Sequence, residues 1–172
     1  ADQLSLSYFK SFNLPVKLIR PFNTYGPRQS NRAIIPSIIN QCLNNKNKEI
    51  LLGNIKPTRD LNYVEDVSAA FLEVYKTKKI TGEILNVGSR TNISIKKLAY
   101  KIMKILNLKF KIKSSKSKIR PKKSEVDNLK CDNSKIMKLT NWSNKTNLDQ
   151  GLNKTIEWFK RNKKFFNNNQ YL

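Results

Sequence analysis

The chain has 172 residues, 38% of them hydrophobic and grouped, which suits one domain or a large piece of a bigger one with a real core. Its 34 lysines and arginines against 12 acids give a formal charge of +22, but only seven of the basic residues are arginines, the better forks for phosphates and base edges, so the charge reads as a Lys, Asn and Ile bias and no nucleic-acid partner is expected. No apolar run approaches the roughly 20 residues of a membrane span, so no membrane partner is expected; without histidine, and with Cys42 and Cys131 far apart, no metal site is expected and two buried free thiols of a reducing cytoplasm are.

In chain order, Leu4, Tyr8 and Phe12 recur at helical spacing before Pro15. The stretch from Val16 to Arg20 predicts a short strand ended by Pro21, because a residue before proline is pushed toward extended geometry. A loop, "RPFNTYGPRQS", follows. Ile35, Ile38, Ile39, Cys42 and Leu43 then mark a helix with Pro36 in its first turn. Residues 49–52 predict a strand, 53–57 a loop and 61–64 a very short strand. Val67, Ala70, Phe71, Val74 and Tyr75 form the next helix face, and Gly82 ends that unit. A strand over 83–87 closes at Gly88. Ser94 caps a helix whose apolar side is Ile95, Leu98, Ala99, Ile102, Met103 and Leu106. A strand over 110–113, a basic loop over 114–123 and helices over 133–139 and 148–161 complete the chain, with a frayed tail over 162–172. Helices alternating with short strands give an α/β class.

Three polar clusters stand out. In "RPFNTYGP", Asn23 offers an amide to a phosphate or sugar oxygen at a strand end, or simply closes an Asx-turn. In "PTRDLNYVED", Arg59 is either half of a surface ion pair or a guanidinium offered to a diphosphate with Asp60 fixing it. In "IRPKKSEVDNLKCDNSK", Arg120 and Glu125 lie in a basic loop that is either solvated or part of a site. The five glycines, Gly26, Gly53, Gly82, Gly88 and Gly151, make no dinucleotide or P-loop turn.

Taken together, "RPFNTYGPRQS", "RDLNYVEDVSAAF", "GEILNVGSRTNISIKKLA" and "RPKKSEVDNLKCDNSKIMKLTNWSNKTNLDQGLNKTIEWF" resemble successive motifs of the extended short-chain dehydrogenase/reductase family. These are NAD-dependent sugar-nucleotide epimerases and dehydratases, and the likeness is greatest to bacterial 4,6-dehydratases of N-acetylhexosamine nucleotides. The likeness runs from about residue 1 to residue 161. It implies the C-terminal part of a Rossmann-type parallel sheet plus a smaller mixed α/β substrate-binding domain. Residues 1–32 would end the NAD-binding domain, and residues 33–161 would form mainly the nucleotide-sugar-binding domain, with some elements returning to the sheet. The glycine-rich turn and the Tyr-x-x-x-Lys pair of the family would lie before Ala1, since Tyr8 and Lys10 have the wrong spacing; no catalytic residue is expected here. By motif position the resemblance places the Pro21-Phe22 backbone near the nicotinamide. It places Asn23, Arg59 and Arg120 on the diphosphate of a nucleotide-diphosphate sugar and Glu125 near the ribose. Ile35, Pro36, Ile50 and Leu52 would wall the base, and Asn92 would reach the nucleotide. A cytoplasmic homodimer is the family expectation for the whole protein.

Overall fold

The computed structural model describes residues 1–115, 121 and 124–163. The elements in chain order begin α1 (Asp2–Phe12), β1 (Leu18–Pro21), β2 (Asn23–Tyr25), α2 (Ile34–Asn44), β3 (Glu49–Leu52), β4 (Thr58–Arg59) and β5 (Leu61–Tyr63). They continue with α3 (Val64–Lys76), β6 (Ile84–Val87), β7 (Ile93–Ser94), α4 (Ile95–Ile105), β8 (Lys111–Ser114), α5 (Ser134–Leu139) and α6 (Leu148–Arg161). Three strand pairs are parallel, β1 with β6, β2 with β5 and β3 with β8, while β4 and β7 run antiparallel. The fold is therefore the mixed α/β arrangement that the alternation of periods implies.

The first half of the polar loop expected after the first strand is mostly strand, over residues 20–21 and 23–25. Leu18 donates to Glu83 O and Phe22 to Val87 O, so even-numbered residues of this segment face β6. The nitrogen of Pro21 therefore faces the opposite edge, where its missing N–H breaks no ladder bond, and β1 ends at the proline as its place in the sequence implies. One residue later the chain changes partner. Asn23, Thr24 and Tyr25 pair with Leu61, Asn62 and Tyr63, and the Tyr25 and Tyr63 rings meet edge-on at 5.8 Å. Asn23 sits at the switch between the two ladders.

Two apolar cores result. The larger joins α2, α4 and α6 to β2, β3 and β5 through residues such as Ile38, Ile50, Leu98, Ile102, Leu152 and Phe159, all at most 1% exposed. The smaller gathers Val67, Ala70, Val74, Leu85, Val87, Ile136 and Trp142 around α3, β6 and α5. The cap expected at Ser94 holds, and a second one forms at Asn147. Ser94 Oγ accepts from Lys97 N at 3.2 Å, and Asn147 forms a full capping box with Gln150 that the sequence pattern passed over.

Helix α3 is rotated from the expected face. Val67, Ala70 and Val74 are buried, but Phe71 and Tyr75 are 51% and 81% exposed. The three buried positions already fill the contact with β6, and the two aromatics fall one step round the helix from it. Both cysteines are buried and free. Among the described residues no helix is long and apolar enough to cross a membrane. Most of the expected basic loop, including Arg120, and the tail from residue 164 lie outside the described residues.

Candidate functional site

A cleft of about 760 Å³ opens between the segment after β2, the end of β3 and the β4 strand. Asn23, Ile35, Leu52, Arg59 and Glu125 all line it. These residues come from five separate stretches of chain, and the strand switch at Asn23 together with the short β4 is what brings them to one place.

Arg59 is the centre of the polar end. Its Nη1 donates to Thr58 O at 2.8 Å and Val126 O at 2.6 Å, and its Nη2 to Glu125 Oε1 at 3.0 Å. The two side chains are only 17% and 14% exposed, so the pair is held in the cleft wall rather than on the open surface. Among the described residues three of the guanidinium's five N–H donors are committed, which fixes its plane and leaves two toward the cleft. Asn23 Nδ2 reaches Asp60 O at 3.4 Å, and because Asn23–Tyr25 is extended strand paired with Leu61–Tyr63, the residue lies at the cleft, exposed, instead of closing a turn.

Asp60 does not hold Arg59. Adjacent residues of an extended strand point to opposite faces, so when Arg59 faces the cleft Asp60 turns into the protein. There it is 0% exposed and accepts from Ser89 N at 2.8 Å, Ser89 Oγ at 2.7 Å, Asn62 Nδ2 at 3.2 Å and Cys131 N at 3.0 Å. The partner of Arg59 is Glu125, 66 residues away in sequence. It arrives on a strap whose Asp127 O accepts from Thr58 N and whose Leu129 N donates to Thr58 O.

The other expected residues divide. Ile35 and Leu52, 1% and 2% exposed, reach the apolar end of the cleft together with Ile34 and Leu51. Pro36 and Ile50 are buried but do not line the cleft: Ile50 shares the buried face of β3 with Leu52, two residues further into the larger core, and Pro36 is buried in the first turn of α2. Asn92 lies on a neighbouring cavity of about 510 Å³ that shares Arg59 and Leu61 as its wall. Its amide is spent on Thr58 Oγ1 at 3.1 Å and Asn128 Oδ1 at 2.5 Å, so it braces the strap. The Pro21-Phe22 backbone ends β1, with Phe22 N bonded to Val87 O at 2.9 Å and Phe22 O accepting from Thr24 Oγ1. Gln29 and Asn31, which no motif singles out, also line the cleft. Their amide oxygens are buried without a hydrogen-bond partner among the described residues.

Burial pushes the Tyr25 and Tyr63 hydroxyls upward, with neighbouring acids adding to it, so neither is a phenol primed to ionise. Burial likewise lifts the Cys42 thiol to about 11 and the Cys131 thiol to about 12, out of range for a nucleophile near neutrality. Among the described residues no group of three or more His, Cys, Asp or Glu side chains is placed to hold a metal ion. The cleft's cations and polar amides suit an anion flanked by an apolar group. The five glycines of the sequence make no glycine-rich dinucleotide turn.

Residues 1–155 match the family model described as GDP-mannose 4,6 dehydratase. The chain is 30% identical to a human dTDP-D-glucose 4,6-dehydratase over 159 residues, which is 91% of this chain and 45% of that protein. It is 32% identical to a UDP-N-acetyl-alpha-D-glucosaminuronate decarboxylase of Bacillus cytotoxicus over 152 residues, 86% of this chain and 47% of the relative. The crystal structure of dTDP-glucose 4,6-dehydratase from Bacillus anthracis in complex with NAD superimposes with a TM-score of 0.84 at 26% identity, over 95% of this chain and 50% of that one. The chain spans about half the length of the relatives it matches.

Proposed function

The chain belongs to the GDP-mannose 4,6-dehydratase family of extended short-chain dehydrogenase/reductases, and from that membership we propose that it is the substrate-holding half of an NAD-dependent nucleotide-sugar 4,6-dehydratase. The observation that carries this reading is the convergence of Asn23, Arg59 and Glu125 at the polar end of one cleft whose other end is apolar. Asn23 and the two remaining donors of Arg59 take the diphosphate, joined by Arg120, which lies outside the described residues. Glu125, while holding Arg59, offers its second oxygen to a ribose hydroxyl. Ile35 and Leu52 cover the base, and Pro36 and Ile50 support that wall from behind. Asn92 acts on the nucleotide through Thr58 and the strap.

NAD, when bound, supplies the hydride acceptor for the sugar's C4. The Pro21-Phe22 backbone would lie beside its nicotinamide, and the larger share of the cofactor site would belong to the part of the relatives that this chain does not span. The catalytic base would belong there too, on the Tyr-x-x-x-Lys pair of the family, whose spacing Tyr8 and Lys10 do not have. The role of this half is then to spend binding energy on the nucleotide and so position the hexose. We place the whole protein in the cytoplasm, where two reduced thiols persist, and expect it to act as a homodimer. A 4-epimerase or a decarboxylase of the same family is the second reading, favoured by the decarboxylase relative.

Titration of UDP-, GDP- and dTDP-hexoses, and of single-stranded DNA, into the full chain tests the proposal. At least one nucleotide sugar should bind saturably, with affinity changing far less between about 50 and 200 mM salt than the roughly thousandfold loss of a nucleic-acid binder. A preference for DNA with no response to any nucleotide sugar would overturn it in favour of a basic nucleic-acid module.

A further inference from the structure

We propose that Asp60 is a positioning residue, its buried carboxylate tying together the segments that carry the diphosphate grip. The proposal rests on the reading of the cleft given above and deepens it. Three parts of the chain meet at this one side chain. Its Oδ1 accepts from Ser89 N and Ser89 Oγ, and Ser89 opens the turn that ends at Asn92. Its Oδ2 accepts from Cys131 N, and Cys131 closes the strap that begins at Glu125. Its own backbone carbonyl accepts from Asn23 Nδ2, and Arg59 precedes it directly.

The packing leaves little slack in this tie. A side-chain carbon on Gly88 would meet Cys131 Cβ at 2.2 Å and Asp60 Oδ2 at 3.4 Å, so the turn and the strap touch directly over the carboxylate. The donors around it are all neutral, three N–H groups and one O–H. Both of its oxygens must therefore be acceptors. An asparagine of the same volume would set an NH₂ group against one of those N–H donors and release either the turn or the strap. Release of the strap moves Glu125 and Val126, which accept from Nη2 and Nη1 of Arg59. Asp60 thus acts on the ligand through the orientation of Arg59 while remaining out of its reach.

The test uses the full chain with Asp60→Asn. Dissociation constants are measured for UDP, GDP and dTDP and for the matching monophosphates, together with amide hydrogen exchange at Ser89 and Cys131. The variant should still melt cooperatively. Its diphosphate affinity should fall about tenfold more than its monophosphate affinity, and the two amides should exchange about tenfold faster. A folded variant with the diphosphate-to-monophosphate ratio of the wild type would overturn the proposal, because a purely structural tie lowers both affinities alike. Should Asp60→Asn fail to fold, Ser89→Ala removes one donor and keeps the carboxylate. It should still lower the ratio about threefold, and an unchanged ratio would again overturn the proposal. Silence of the wild type toward all six nucleotides would defeat the functional reading and this inference with it, a result unlike either of the others.

Discussion

At the scale of single residues, the two conspicuous arginines differ by their surroundings. Arg20 pairs with Asp2 at 2.6 Å, but the side chains are 49% and 36% exposed, so water screens the pair and it contributes little. Arg59 and Glu125 are mostly withdrawn from solvent, so deleting one strands the other. Arg59→Met should cost about 1–3 kcal/mol by urea denaturation, less than a fully buried pair would, and Arg59→Met with Glu125→Gln should recover part of it. Additive losses in that double-mutant cycle would show that the two groups do not interact. The thiols make a second, independent prediction. The Cys42 and Cys131 pKa values are raised from 9.0 to about 11 and about 12, chiefly by burial. The unfolded chain therefore ionises first as pH rises, and the stabilisation is complete below pH 9 and drains away toward pH 11 to 12. The melting temperature should fall through that window, and Cys131→Ala should flatten part of the slope. Identical slopes for the wild type and both Cys→Ala variants would refute the assignment.

At the scale of elements, helix α6 shows what periodicity can and cannot convey. Its bounds and its buried stripe of Leu152, Ile156 and Phe159 follow from 3.6-residue spacing. The reason for Gly151 does not. A side-chain carbon there would lie 2.1 Å from the Tyr25 hydroxyl, so the glycine lets the helix rest on the β2 tyrosine. Gly151→Ala should push α6 outward and cost about 1–3 kcal/mol, read as a lower melting temperature; an unchanged melt would mean the tyrosine ring moves aside freely. Strands β2 and β4 were illegible for a different reason. Each has at most three residues and exists only because a partner distant in sequence lies alongside, Leu61–Tyr63 for one and Ile93–Ser94 for the other. Pattern likewise assigns α3 an apolar stripe without saying where the core ends, which is why Phe71 and Tyr75 were expected inside. The site follows the same rule. Asn23 and Arg59 were recognisable as residues by their motifs, but the partner of Arg59 was not, because sequence adjacency favours Asp60 whereas the alternation of an extended strand rules it out.

At the scale of the whole molecule, the two cores are unequally covered. The larger is enclosed by α2, α4 and α6, and the cleft opens from it. Beside the smaller, apolar side chains stay in solvent, Leu72 60% and Tyr75 81% exposed on α3, and α1, which buries no residue, leaves Leu4 64% and Phe12 73% exposed. A cavity of about 530 Å³ runs between Pro15 and Ile19 on one side and Phe71 and Tyr75 on the other. Among the described residues β1 pairs only with β6, which leaves its other edge open. Surfaces of this kind drive association when nothing covers them. The full chain should therefore self-associate with rising concentration, measurable by sedimentation velocity. Phe12→Ser combined with Tyr75→Ser should shift it toward monomer. Because Asn23, Arg59 and Glu125 belong to the cleft on the larger core, the same double variant should bind a nucleoside diphosphate as the wild type does. A wild-type chain that stays monomeric across the concentration range would refute the first part. A double variant that loses nucleotide binding would show that the two cores are coupled, and that the grip on the nucleotide depends on what covers α1 and α3.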